Sequence, residues 1–248
     1  MSAGAWVQDI AQGTSSGSSS ANISLTVSTA ITAGNIIIVR VFAITSVGPT
    51  DCSISDNGAG YIWNQAAYYV ATSISSYART WVFYVVASNG LATGKTITVA
   101  LSNLAGSENA CNASASEYAG PFLASPFDKT TNNTSSSPTT SVASGTTATL
   151  SQASELAICA VGFLGDAALP GTPQTLTGTN GFSSRAIAQN GTTLSGVCAL
   201  DKVLNSTSGV QATGTFGTSI DFTALIATFK LSTDPYPVGY PPPSRTWW

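Results

Sequence analysis

"NIIIVRVFA", from Asn35 to Ala43, is a nearly unbroken apolar run of strand length with one arginine inside it. Its isoleucines and valines are stiff at χ1 and pack well on a pleated surface, so the run favours strand over helix. Apolar side chains at successive positions fill both faces, which makes it a central strand. "WVFYVVA" at 81–87 has the same character. Outward from these two, the pattern changes to alternation. "ISLTV" sets Ile23, Leu25 and Val27 on one face, and "KTITVAL" does the same with Ile97, Val99 and Leu101. That is the period of a strand with one wet face. Turn residues separate the runs, as in "DNG" at Asp56–Gly58, "SNG" at Ser88–Gly90 and "ATGK" at Ala92–Lys95. No stretch sustains a 3.6-residue period with caps at both ends. The chain reads as all-β, a large β-sandwich of jelly-roll or immunoglobulin-like type.

Composition narrows the functions. Charged residues are 8% of the 248, against about 25% in an ordinary domain. The net charge is −3 and no lysine–arginine cluster occurs, so the footprint that phosphate contacts need is missing, and nucleic acid and polybasic membrane contact are set aside. There is no histidine, which removes the commonest general base and zinc ligand. No GxSxG elbow occurs, and the eleven acids sit mostly beside turn residues. A non-enzymatic protein without metal or cofactor is expected. Asp56 and Asn57 could open a calcium loop, but the EF-hand spacing is missing and a tight turn explains them. The N-terminus shows no basic and apolar signal-peptide regions, and no run of about 18 apolar residues occurs.

A weak internal repeat runs through the chain. "ITAGNIIIVRVFA" resembles "LSQASELAICAVGFL", and "YARTWVFYVVASNG" is echoed by "TLSGVCALDKVLNS". "KTITVALS" followed by "ACNASASEYAG" is echoed by "VQATGTFG" followed by "IDFTALIATFK". The reading is a first β unit at 1–120, a Pro-, Ser- and Thr-rich crossing at 121–147, a second unit at 148–232 and an extended arm at 233–248. Two sandwiches or one compact body would both satisfy it, with one body favoured.

The repeat sharpens two residues. Arg40 interrupts one strand and Glu117 another, and the echo puts Ala160 and Ala227 at their places. Joint loss of both charges suggests a partly buried ion pair, since either alone is costly to bury; snorkelling of Arg40 and solvation of Glu117 is the alternative. Four cysteines allow two disulfides, with Cys52–Cys111 the first candidate and reduced, buried thiols the alternative. Tyr61, Tyr68, Tyr69 and Tyr77 lie in an aromatic-rich part of the first unit, where exposed rings could stack on sugars or cover a subunit contact. Trp81 and Phe83 are expected to be buried.

"SISDNGAGYIWNQ", "KTITVALS", "SASEYAG", "SPFD" and "SGTTATLSQASELAICAVGF" together resemble a group of poorly characterised β-sandwich proteins of bacterial surfaces and phage virions. The resemblance spans about residues 23–230. It implies an extracellular or virion structural role and transfers no catalytic residue.

The arm "DPYPVGYPPPSRTWW", 234–248, lies outside that pattern. Its prolines impose extended, polyproline-like geometry and bar a helix or central strand. Pro235, Tyr236, Tyr240, Pro242, Trp247 and Trp248 would form an assembly strap that loses little entropy on docking, or a brace folded over the chain's own edge. The expected function is a virion component such as a capsid decoration, head-fibre or tail protein. Its partners would be copies of itself, a trimer among the options, and other virion or surface proteins. The second reading is a glycan-binding module or adhesin using the aromatic face.

Overall fold

A computed structural model describes residues 1–16, 20–45, 51–72, 77–104, 110–135, 137–165, 174–185, 187–191 and 195–232. The arm residues Pro235, Tyr236, Tyr240, Pro242, Trp247 and Trp248 lie outside them. The described chain is all-β, without a helix.

The first unit contains β1 (Trp6–Ser16), β2 (Ser20–Thr26), β3 (Ile36–Thr45), β4 (Asp51–Asp56), β5 (Asn64–Ala71), β6 (Tyr77–Val86), β7 (Thr96–Ser102) and β8 (Ala110–Tyr118). Five strands form a main sheet in the order β1-β8-β3-β6-β5, and three form a small sheet, β2-β7-β4. Alternation explains the small sheet: Ala21, Ile23 and Leu25 of β2 and Ile97, Val99 and Leu101 of β7 point inward, with hydroxyl-bearing residues largely outward. They meet Ile37, Val39, Val41, Trp81 and Phe83 from one face of the main sheet. Trp81 and Phe83 are buried, as the sequence predicts.

The second unit contains β9 (Phe122–Thr134), β10 (Thr139–Ala143), β11 (Ser154–Leu164), β12 (Leu176–Thr179), β13 (Ser183–Ser184), β14 (Ala188–Asn190), β15 (Ser195–Asn205) and β16 (Thr213–Leu231). It repeats the first. β11 lies between β15 and β16 as β3 lies between β6 and β8, and β9 flanks β16 as β1 flanks β8. The N-terminal part of β16 pairs with β10 and β12, as β7 pairs with β2 and β4. One 19-residue strand thus does the work of β7 and β8 and joins both layers into one hydrogen-bonded sheet. The segment 121–147, expected as a crossing, is therefore part of the second unit: β9 and β10 are its counterparts of β1 and β2.

The two main sheets stack face to face, so four layers form one body. Ile36, Ile38, Val82 and Tyr118 of the first unit pack on Leu156, Ile158, Ala160, Leu225 and Phe229 of the second. The packing is pseudo-twofold. β15 lies on β8 as β6 lies on β16, and β14 touches β1 as β5 touches β9. β3 is buried at every position because its odd residues serve one interface and its even residues the other.

Candidate functional site

Arg40 and Glu117 do not pair. Arg40 shares the face of Ile36 and Ile38, toward the second unit, whereas Glu117 lies opposite Ile37 and faces the other way. The echo was misread by one residue. Register places Thr228, not Ala227, where Glu117 stands, because Glu117 sits opposite Ile37 and Thr228 opposite Ala157. A slip of one residue turns a strand's side chains to the opposite face. Both groups are fully buried with other partners. Glu117 accepts from Gln8 Nε2 at 2.6 Å, the Thr32 N–H at 2.8 Å and Asn35 Nδ2 at 2.5 Å. Arg40 donates to Ser114 Oγ at 3.1 Å and Ser116 Oγ at 2.6 Å, and the Ser116 hydroxyl donates to Asp9 Oδ1 at 2.7 Å. Asp9, relayed by a serine, is the counter-charge.

In the second unit the corresponding knot has moved its carboxylate. Glu155 occupies the place of Asn35 and lies beside Thr228. Burial pushes the Glu155 carboxyl up to about 7, and neighbouring Asp128 adds to the push. Burial acts on Asp128 as well, but Ser151 donates to it twice, at 2.5 and 2.7 Å, and Lys129 lies 3.1 Å away, so its carboxyl is held at about 2. Between these limits Asp128 is ionised while Glu155 keeps its proton.

The pseudo-twofold creates two seams at the sides of the body, and they differ. On the β5–β9 side Tyr84 meets Phe229 edge-on at 5.2 Å, Phe127 flanks Phe229 at 6.3 Å, and Tyr69 packs alongside. On the β1–β14 side Asp201 stands where Tyr84 does, Tyr118 where Phe229 does, and Trp6 where Phe127 does. Arg185 clasps Asp201 through two bonds of 2.5 and 2.9 Å and lies over the Trp6 ring at 4.8 Å. Burial pushes the Tyr118 phenol up, Arg40 opposes this, and Asp201 adds to it. Farther along the same seam a groove of about 510 Å³ opens, lined by Gln12, Thr14, Gln174, Ile187, Ala188 and Gln189 among others. Sequence reading missed this seam, because its residues come from strands far apart in the chain. Asp201, a charge inside the apolar "GVCALDKVL", was the available signal.

The four tyrosines do not form one platform. Tyr68 and Tyr77 are 41% and 37% exposed on the face of Trp81, with Tyr68 stacked on Trp81 at 5.2 Å. Tyr69 points the other way, into the interface between units. Tyr61 packs on the first core and donates its hydroxyl to the Gly90 carbonyl at 2.5 Å.

No family model, curated protein or solved structure matches this chain.

Two further expectations resolve locally. Asp56 closes a tight turn, accepting the N–H groups of Gly58, Ala59, Gly60 and Tyr61 at 2.7 to 3.1 Å, with Gly60 at φ 65°. Burial alone would raise its carboxyl, but those four donors hold it below the ordinary value. Its oxygens are spent on the backbone. The Cys52–Cys111 disulfide does not form: all four cysteines are free thiols. Cys52 and Cys111 are close enough to interact electrostatically in the first core, and burial raises both thiols, Cys111 to about 12. Among the described residues no cluster of three metal-ligating side chains occurs, and no helix is long and apolar enough to cross a membrane.

Proposed function

We propose that this chain is a non-enzymatic structural component of a virion or cell surface, working by assembly with copies of itself and neighbouring proteins. One observation carries the reading. Both outer layers present nearly charge-free hydroxyl faces. In the first unit the outward-facing rows are Ser24–Thr98–Ser55, Asn22–Ala100–Ser53 and Ser20–Ser102–Asp51. In the second they are Ser141–Thr215–Thr177 and Ala143–Thr213–Thr179. Faces of this kind can pack on a neighbour without stripping water from ions, the costliest part of forming a polar contact. Several charges of the body are committed to internal contacts: buried Arg40 to serines, buried Glu117 to amides and half-buried Arg185 to Asp201. The proline-rich arm adds a strap with little entropy to lose, and the resemblance to virion and surface β-sandwich proteins points the same way.

Light scattering coupled to size exclusion, on the full chain and on one ending at Thr233, tests the reading. A defined oligomer that becomes monomeric on truncation is the expected result. Two monomers of equal stability would overturn self-assembly through the arm, and a monomer that merely melts earlier without it would make the arm an internal brace.

A further inference from the structure

We infer that the groove on the β1–β14 seam is a binding site for a neutral saccharide. The internal repeat supplies the comparison. Phe42 pairs with Thr80 and Thr80 with Tyr69, while at the equivalent places Gly162 pairs with Val197 and Val197 with Ala188. Tyr69 and Ala188 are therefore the same position in the two units. On one seam a tyrosine fills the space. On the other an alanine leaves about 510 Å³ open, within the roughly 300–1,000 Å³ of ordinary ligand sites. At the equivalent junction Tyr69 packs against the buried clusters between the units, so topology does not force the opening.

The lining selects the ligand. Gln12, Gln174, Gln189 and Thr14 supply carboxamide and hydroxyl groups, and Ile187 supplies an apolar wall beside the buried Ala188. Among the described residues no charged side chain lines the groove, so an ionic ligand would find no counter-charge there. Each carboxamide carries both donors and acceptors, which suits the hydroxyls of a sugar, and the wall suits its C–H face. Gln174 and Gln189 are held in place before any ligand arrives. Gln174 is buried; its Oε1 accepts from the Thr218 hydroxyl at 2.6 Å, and its N–H donates to Gln189 Oε1 at 2.9 Å. Such pre-ordering lowers the cost of binding. Among the described residues no aromatic platform lines the groove, so the affinity is expected to be weak and useful only when many copies are presented together.

The test is a titration of the full-length protein with glucose, galactose, mannose, N-acetylglucosamine and lactose, followed by amide NMR. At least one sugar is expected to give saturable shifts at residues 12–14 and 187–189 and at the side-chain amides of Gln12, Gln174 and Gln189. Ala188→Tyr, which copies Tyr69, is expected to abolish those shifts while retaining the fold. Gln12→Ala, an exposed change that leaves the packing alone, is expected to weaken binding several-fold and serves if the tyrosine variant does not fold. Absence of saturable shifts from all five sugars, or binding undiminished in both variants, overturns the proposal. Neither outcome bears on the arm-dependent oligomer, so the two readings fail separately.

Discussion

Phe42 lies on Gly162. The two occupy equivalent positions in the repeated units and meet where the pseudo-twofold axis crosses the stacked sheets, so a Cβ added at Gly162 would fall inside the ring's contact distance. Space at a twofold axis admits one large side chain, not two. The pair records how a duplicated sheet, stacked on its own copy, had to lose its symmetry.

The relationship predicts a reciprocal pattern of stability. Gly162→Ala overpacks the axis and should cost about 1–3 kcal/mol. Phe42→Ala opens a cavity at a fully buried site and should cost about 3–5 kcal/mol. Exchanging the two, Phe42→Gly with Gly162→Phe, should restore part of the loss. Denaturant midpoints measure these variants together with the single changes Phe42→Gly and Gly162→Phe, and an exchange variant no better than the sum of those two would refute the axis argument.

Arg40 yields a second prediction. It is fully buried and reaches its counter-charge Asp9 through Ser116. Asp9→Asn should destabilise by about 1.5–3 kcal/mol, the worth of a hydrogen bond to a charged group. Arg40→Met removes the buried charge itself and should be neutral or stabilising by about 1–4 kcal/mol, as Ala160 at the equivalent place suggests. With Met at 40, Asp9→Asn should cost much less. A double-mutant cycle by urea unfolding reads the coupling, and additive effects would exclude the relay.

Much of this was legible in the chain. The apolar run at Asn35–Ala43 and the alternation in "KTITVAL" both specified their strands, and the echo between units correctly announced a duplication. What failed was register. "NASASEY" and "TALIATFK" consist largely of small residues with no landmark to fix the alignment, so Glu117 was matched one position out and turned to the wrong face. The 121–147 segment read as a linker because proline, serine and threonine suit loops. In β9 they suit an edge strand instead, paired among the described residues with β16, with Pro126 where the register shifts between Phe127 and Phe122. The seam groove was beyond reach, since it exists only where β1 and β14 meet.

The thiols give a third prediction. With every cysteine reduced and Cys111, Cys159 and Cys198 buried, a thiol reagent should titrate four groups in denaturant. In the native protein it should react slowly and at Cys52 first, because burial suppresses the thiolate. Two groups in denaturant would restore the disulfide that the sequence suggested.

The Asp128–Glu155 pair predicts an unusual dependence of stability on pH. The Glu155 carboxyl is raised from 4.5 to about 7, so its contribution is fully present below 4.5 and is lost as pH rises through 7. The Asp128 carboxyl is lowered from 3.8 to about 2, so its contribution is present above 3.8 and is lost as pH falls toward 2. Together the pair stabilises most near pH 4, and its support declines across the neutral range. The first unit holds Asn35 at the place of Glu155, an amide that does not titrate, so the decline belongs to the second unit alone. Glu155→Gln copies that amide and should flatten the fall in urea midpoint between about pH 5 and about pH 8, whereas Asp128→Asn should remove the loss at the acid end. A midpoint that rises between those values in the native sequence, or a fall unchanged by Glu155→Gln, would show that burial does not raise the Glu155 carboxyl.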